Sequence, residues 1–212
     1  MRRRQLLALP LPLAAAALAV GALTAGASPA AAQDRPPLFP TRDVAVTYRF
    51  VGGAQPPGMP QSLVMAFQAA TQTLRTDIPG MGWMIADQRN GRAFMVMEQM
   101  RVIMDVPLNQ AMTGGALPPN ASFRREGTDM VAGLACTVWS YQDGQTQGRS
   151  CVTADGVMLR AQGTHAGQSG GLEATSVAFG PQDPARFQRP QGYQAMQVPP
   201  GMTPGAPRPP AR

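Results

Sequence analysis

The sequence predicts an all-β protein with minor α-content, built as a single large antiparallel sheet that is curled or closed. Three observations carry that expectation. Period-two alternation of apolar and polar residues recurs from Asp43 onward, the pattern of strands half-buried on a pleated sheet. Turn dipeptides punctuate these runs at Pro79-Gly80, Asn90-Gly91, Asp143-Gly144 and Asp155-Gly156, and such pairs supply the φ > 0 positions that tight hairpins need. No stretch sustains a 3.6-residue apolar period long enough for a packed helix. About ten short strands joined in this way make one sheet that must curl or close.

The chain opens on an export signal. Arg2, Arg3 and Arg4 form a charged start, an apolar run follows from Leu6 to Leu23, and small residues lead to Ala30-Ala31-Ala32. That is the pattern of a cleaved secretory signal over residues 1–32, with the cut between Ala32 and Gln33. An uncleaved anchor is the alternative, and Pro10, Pro12 and the small-residue end oppose it. Arg3-Arg4 ahead of Gln5-Leu6-Leu7 leaves general secretion and twin-arginine export both open. The expected location is periplasmic or secreted, with no integral membrane segment after cleavage. Losing the three signal arginines lowers the formal net charge from +6 to about +3. The remaining arginines are scattered from Arg35 to Arg212 without a block or stripe, so nucleic acid is excluded as a partner.

Residues 33–42 read as a loose N-terminal segment and 43–198 as one β domain. The Pro/Gly-rich residues 199–212 have little to bury and read as a disordered tail. Within the domain, Asp43–Phe50 gives the cleanest alternation, with Val44, Val46, Tyr48 and Phe50 on one face. Gly52 to Pro60 is a loop, after which Leu63, Met65 and Phe67 share a face. A weaker run spans Thr71–Asp77, and Pro79-Gly80 turns the chain into Trp83–Ala86. Asn90-Gly91 returns it through Phe94–Met97, and Met100, Val102, Met104 and Val106 then oppose Arg101, Ile103 and Asp105. Leu108 to Asn120 is a loop with room for a short helix around Gln110-Ala111-Met112. Thr164–Gly171 reads as a glycine-rich connector, Leu172–Phe179 as the last strand, and Asp183–Phe187 as one helical turn.

Between these lies the stretch from Phe123 to Gln162. Cys136 and Cys151 flank Asp143-Gly144 symmetrically, which makes them cross-strand neighbours in a symmetric hairpin. An oxidising compartment favours a disulfide between them, the alternative being two free buried thiols. Val131-Ala132-Gly133-Leu134-Ala135-Cys136-Thr137, Asp155-Gly156-Val157-Met158-Leu159, and Asp183-Pro184 through Phe187, Pro190 and Gly192-Tyr193 resemble the DUF4412 family of exported bacterial proteins. The resemblance covers roughly Asp43 to Met196. It implies the curved half-barrel of the bacterial lipoprotein carriers for the domain 43–198 and carries no catalytic residue.

Chemistry is sparse. Gly167-Gln168-Ser169-Gly170-Gly171 matches the G-x-S-x-G elbow, with His165 two residues upstream, but that elbow belongs on a strand-to-helix turn of an α/β sheet. Met95-Val96-Met97, Met100 and Met104 offer soft thioethers of the kind that suit copper(I). Their spacing is that of strand alternation, and methionine also fills irregular apolar space. Glu126, Asp129, Glu173 and Asp183 are scattered among turns and exposed strand positions. No catalytic residue, metal site or cofactor is therefore expected. The functional expectation is a pocket for an apolar, lipid-like ligand on the concave face, lined by Val44, Val46, Tyr48, Phe50, Leu63, Met65, Phe67, Met100, Val102 and Met104. The alternative is a structural or interaction module that meets another envelope protein, with a copper protein or hydrolase as remote readings.

Overall fold

The computed structural model describes residues 35–53, 60–111, 117–144, 146–165 and 167–196. The expected signal and the expected tail lie outside them. Twelve strands form one curved, open sheet. In chain order they are β1 (Val44–Val51), β2 (Ser62–Gln68), β3 (Thr73–Ile78), β4 (Gly82–Asp87), β5 (Arg92–Met97) and β6 (Val102–Val106), then β7 (Ser122–Val131), β8 (Leu134–Asp143), β9 (Thr146–Val152), β10 (Met158–His165), β11 (Gln168–Phe179) and β12 (Gln194–Met196). A single turn of helix, α1 (Leu108–Ala111), and a 3₁₀ turn over Pro184–Phe187 complete the described elements. No helix among the described residues is long and apolar enough to cross a membrane.

The order across the sheet is β12-β6-β5-β4-β3-β2-β1-β11-β10-β9-β8-β7. Two meanders, β1 to β6 and β7 to β11, are therefore joined along β1 and β11. Every pairing is antiparallel except β12 on β6, which makes the sheet mixed where the sequence predicts a purely antiparallel one. The three residues of β12 show no alternation long enough to read, and their pairing depends on a segment more than ninety residues away in the chain.

Asp43 pins the junction of the two meanders. Its carboxylate accepts from the Ala69 backbone N–H at 2.8 Å and from Gln182 N–H at 3.1 Å, which ties the start of β1 to the chain leaving β2 and β11. The main core cluster gathers Val44, Val46 and Tyr48 of β1, Leu63, Met65 and Phe67 of β2, and Cys136, Cys151, Leu159 and Leu172. Tyr48 is buried, and its hydroxyl donates to the Met158 carbonyl at 2.5 Å. Burial in apolar surroundings disfavours the phenolate and pushes its pKa well up.

Both ends of the described chain lie back on the sheet where a helix layer would otherwise sit. The segment 35–42, expected to be loose, packs instead. Pro36 is buried, Phe39 stacks on Phe67 with ring centroids 6.1 Å apart, and Leu38 joins the cluster of Trp139, Val152 and Leu117. Arg42 bonds Asp155 at 2.7 Å and lies 3.7 Å over the Phe179 ring. Gly156 is required here, because a Cβ on it would collide with the Phe39 carbonyl. Proline-rich composition hides this, since a buried proline has no N–H that must find an acceptor. At the other end, Phe187 and Tyr193 cover Trp83, Ile85, Val96 and Ile103. Arg75 stacks 4.0 Å over Trp83 and donates to the Arg186 carbonyl.

Candidate functional site

Strand alternation and register place two distinct surfaces on this sheet. The first is apolar. One lateral row runs Val46, Met65, Thr76, Met84, Met95, Met104 and Met196 across β1, β2, β3, β4, β5, β6 and β12. The next runs Val44, Phe67, Leu74, Ala86, Ala93 and Val106 on the same face. Tyr48 pairs with Leu63, and Met97 with Val102. Nine of the ten residues expected to line an apolar pocket therefore share one face of the sheet. The tenth does not. Met100 lies in the turn before β6 and is 61% exposed, because the alternation through Met100 and Val102 does not record that the strand starts at Val102.

Burial divides that face. Val44, Val46, Tyr48, Leu63, Met65, Phe67 and Val102 are buried, and Phe50 is packed against the same core. Met84, Met95, Met97 and Met104 are only half-buried. Leu108 of α1 covers the neighbouring Ala86–Ala93 row. Sequence reasoning saw the methionines but missed Met84 and its register with Met95, which needs the β4–β5 pairing.

The second surface is the inside of the curl made by β7 to β11. Arg160 of β10 bonds Asp129 of β7 and Glu173 of β11, each at 2.7 Å. Arg149 of β9 bonds Glu126 of β7 at 2.7 Å. Strands three apart stand about 14 Å apart in a flat sheet, beyond the reach of an arginine and an aspartate, so the Arg160–Asp129 contact is made on the inside of a bend. Arg49 extends the chain of charge onto β1 through Glu173 at 2.5 Å. These contacts lower the pKa of each carboxyl. Arg49 and then Arg160 act on Glu173, the Met130 N–H and then Arg160 on Asp129, and the Ser140 hydroxyl ahead of Arg149 and Arg124 on Glu126.

The disulfide between Cys136 and Cys151 lies on this same side, with Cα atoms 5.4 Å apart. Its geometry differs from a symmetric hairpin. Asp143 pairs with Thr146, so Cys151 stands opposite Val138 and bridges diagonally to Cys136. Beyond it the curl opens into a cavity of about 890 Å³. Two rows of polar side chains cross that end: Ser122, Gln142, Gln147, Thr164 and Ser169, then Arg124, Ser140, Arg149 and Gln162. The row between them, Phe123, Tyr141, Gly148, Gly163 and Gly170, points to the opposite face. A Cβ on Gly148 would stand 2.6 Å from the Tyr141 hydroxyl oxygen, so glycine lets the ring lie flat along the strands.

None of the ten expected lining residues borders this cavity. Ser169, the serine of the G-x-S-x-G match, does. The segment is a hairpin, not a loose connector: β10 runs to His165, and Thr164 pairs with Ser169, their hydroxyl oxygens 3.2 Å apart. Ser169 therefore sits in an antiparallel ladder, without the strand-to-helix turn that exposes an elbow nucleophile.

The fold is that of an open, curved half-barrel. No family model matches the chain, and no curated protein does, so the likeness to DUF4412 stays a resemblance. Solved structures share the architecture. An uncharacterised conserved protein of Thermus thermophilus superposes with a TM-score of 0.52 at 10% identity, over 74% of this chain and 91% of that one. MucB superposes at 0.50 with 12% identity, over 74% of this chain and 60% of MucB, so this chain spans less than two thirds of it. The Mycobacterium tuberculosis lipoprotein LppX aligns over 64% of this chain and 85% of its own, at 12% identity and a TM-score of 0.37, too low to carry weight. At such identities the likeness is one of fold alone.

Proposed function

We propose that this is an exported protein of the cell envelope that binds an apolar, lipid-like ligand and performs no chemistry on it. The observation that carries this reading is the row Met84, Met95 and Met104, in register on three adjacent strands and half-buried beside a closed core. Unbranched thioether side chains adapt to partners of varied shape, and a continuous half-open apolar face is unusual on a small protein without a binding role. The export signal read from the sequence supports a location in the periplasm or outside the cell. The half-barrel fold supports a carrier-like role, and the ladder position of Ser169 supports the non-catalytic one.

The pocket assigned from sequence to ten residues moves to its methionine end. Met104 and Val102 border the ligand in this reading, while the β1 and β2 residues are the packed wall behind it. A fluorescent fatty-acid probe tests the assignment. The wild type should take up the probe, and Met95→Ala and Met104→Ala should each weaken uptake several-fold while costing little stability. Phe67→Ala, by contrast, should cost about 3–5 kcal/mol as a core truncation. A wild type that takes up no probe, with Met95→Ala as destabilising as Phe67→Ala, would leave the structural-module reading standing in its place.

A further inference from the structure

We propose that the cavity at the open end of the β7–β11 curl is a second binding site, for an oligosaccharide that carries carboxylate groups. Its volume of about 890 Å³ lies within the usual range of ligand sites, and its chemistry is unlike that of the methionine face. Its two rows present amides, hydroxyls and guanidinium groups from neighbouring strands. Gln142, Gln147, Gln162, Arg124 and Arg149 are all exposed.

Each glutamine offers two donors and an acceptor, and each hydroxyl offers both functions. That mixture matches a sugar hydroxyl, which likewise donates and accepts. A lipid chain would leave all of them unsatisfied. The lateral spacing of the rows follows the strands, about 4.8 Å, and so presents repeated polar groups to a ligand that itself repeats.

Charge selects among saccharides. The two rows contain no acid, and Glu126 beside them already accepts from Arg124 at 2.8 Å and from Arg149 at 2.7 Å. One carboxylate against two guanidinium groups leaves net positive charge, and each guanidinium carries five N–H donors. A single residual charge suits a carboxylate better than a phosphate dianion, which calls for a denser arginine cluster.

Calorimetric titration of the purified protein with tetragalacturonate, and with maltotetraose as the neutral counterpart, tests the site. Saturable binding of tetragalacturonate is expected, at least tenfold tighter than that of maltotetraose and weakened by salt. Gln147→Leu, which breaks no ion pair, and Arg149→Gln should each reduce it by fivefold or more while the proteins remain folded by circular dichroism. Met95→Ala should leave it unchanged, which separates this site from the apolar face. Equal binding of the two sugars, binding of neither, or indifference to both cavity variants overturns the proposal.

Discussion

Two buried or bridging side chains hold this fold at points where one atom decides the outcome. Tyr48 donates to the Met158 carbonyl from within the core, so Tyr48→Phe removes a bond and leaves a buried acceptor, at about 1–2 kcal/mol. Because burial raises the tyrosine pKa, its contribution is complete below the ordinary value near 10 and is lost as pH rises beyond it. Urea melts from pH 8 to 11 should fall steeply for the wild type and less so for Tyr48→Phe; parallel slopes would refute the assignment. Arg160 acts with opposite sign. Asp129 and Glu173 are held below their ordinary values by its guanidinium among other donors. The stability they contribute is present at neutral pH and is lost as pH falls below about 4.5 and through the folded values. Arg160→Met should flatten that acid limb and leave the alkaline one untouched. Alternation in the sequence gives the face each residue occupies, but not these partners, because Glu173 faces Arg160 only in the β10–β11 register and Asp129, three strands away, reaches it only once the sheet has bent.

At the scale of elements, turn chemistry set most of what could be read. Asn90-Gly91 and Asp155-Gly156 mark turns, and β1, β2, β4 and β5 lie within two residues of their expected limits. The failures share a cause. A symmetric hairpin about Asp143-Gly144 would place Cys136 opposite Cys151, whereas the observed register is shifted by two residues and the bridge is diagonal. Diagonal neighbours on one face are still close enough for a disulfide, so the pairing survived an error in register. Glycine misled in the other direction. Gly170 and Gly171 suggested a connector, yet both are paired in β11, where missing side chains serve the sheet and the cavity. The disulfide joins β8 to β9 over a sequence separation of 15, for which chain entropy gives about 3 kcal/mol. The double variant Cys136→Ala/Cys151→Ala should lose that much in denaturant melts. A loss below about 1 kcal/mol would mean that the β7–β9 meander and the Arg160 bridges define the curl without it.

For the whole molecule, the decisive fact is that the sheet bends without closing. β1 pairs with β2 on one side and with β11 on the other, a long-range join that no local pattern announces, and β12 adds a parallel strand at the far end. Two edges remain. β12 is three residues long and offers little to a neighbouring chain. β7 is ten residues long, and an edge of that length is a template for unwanted pairing unless something blunts it. Three devices do so here. Arg124, Arg125, Glu126 and Asp129 are exposed along the strand, a bulge interrupts its register between Arg125 and Gly127, and the curl brings β7 toward β11. Arg125 is the most telling of the four charges: it forms none of the salt bridges that Arg124, Glu126 and Asp129 form among the described residues. Its cost to folding is small, so its role at the edge can be tested apart from stability. Arg125→Val should leave the melting temperature nearly unchanged while promoting association, and Arg124→Val/Arg125→Val should do so more strongly. Light scattering across a concentration series reads the effect directly. If both variants scatter as the wild type does, charge is not what protects this edge, and the bulge at Gly127 together with the curl is sufficient.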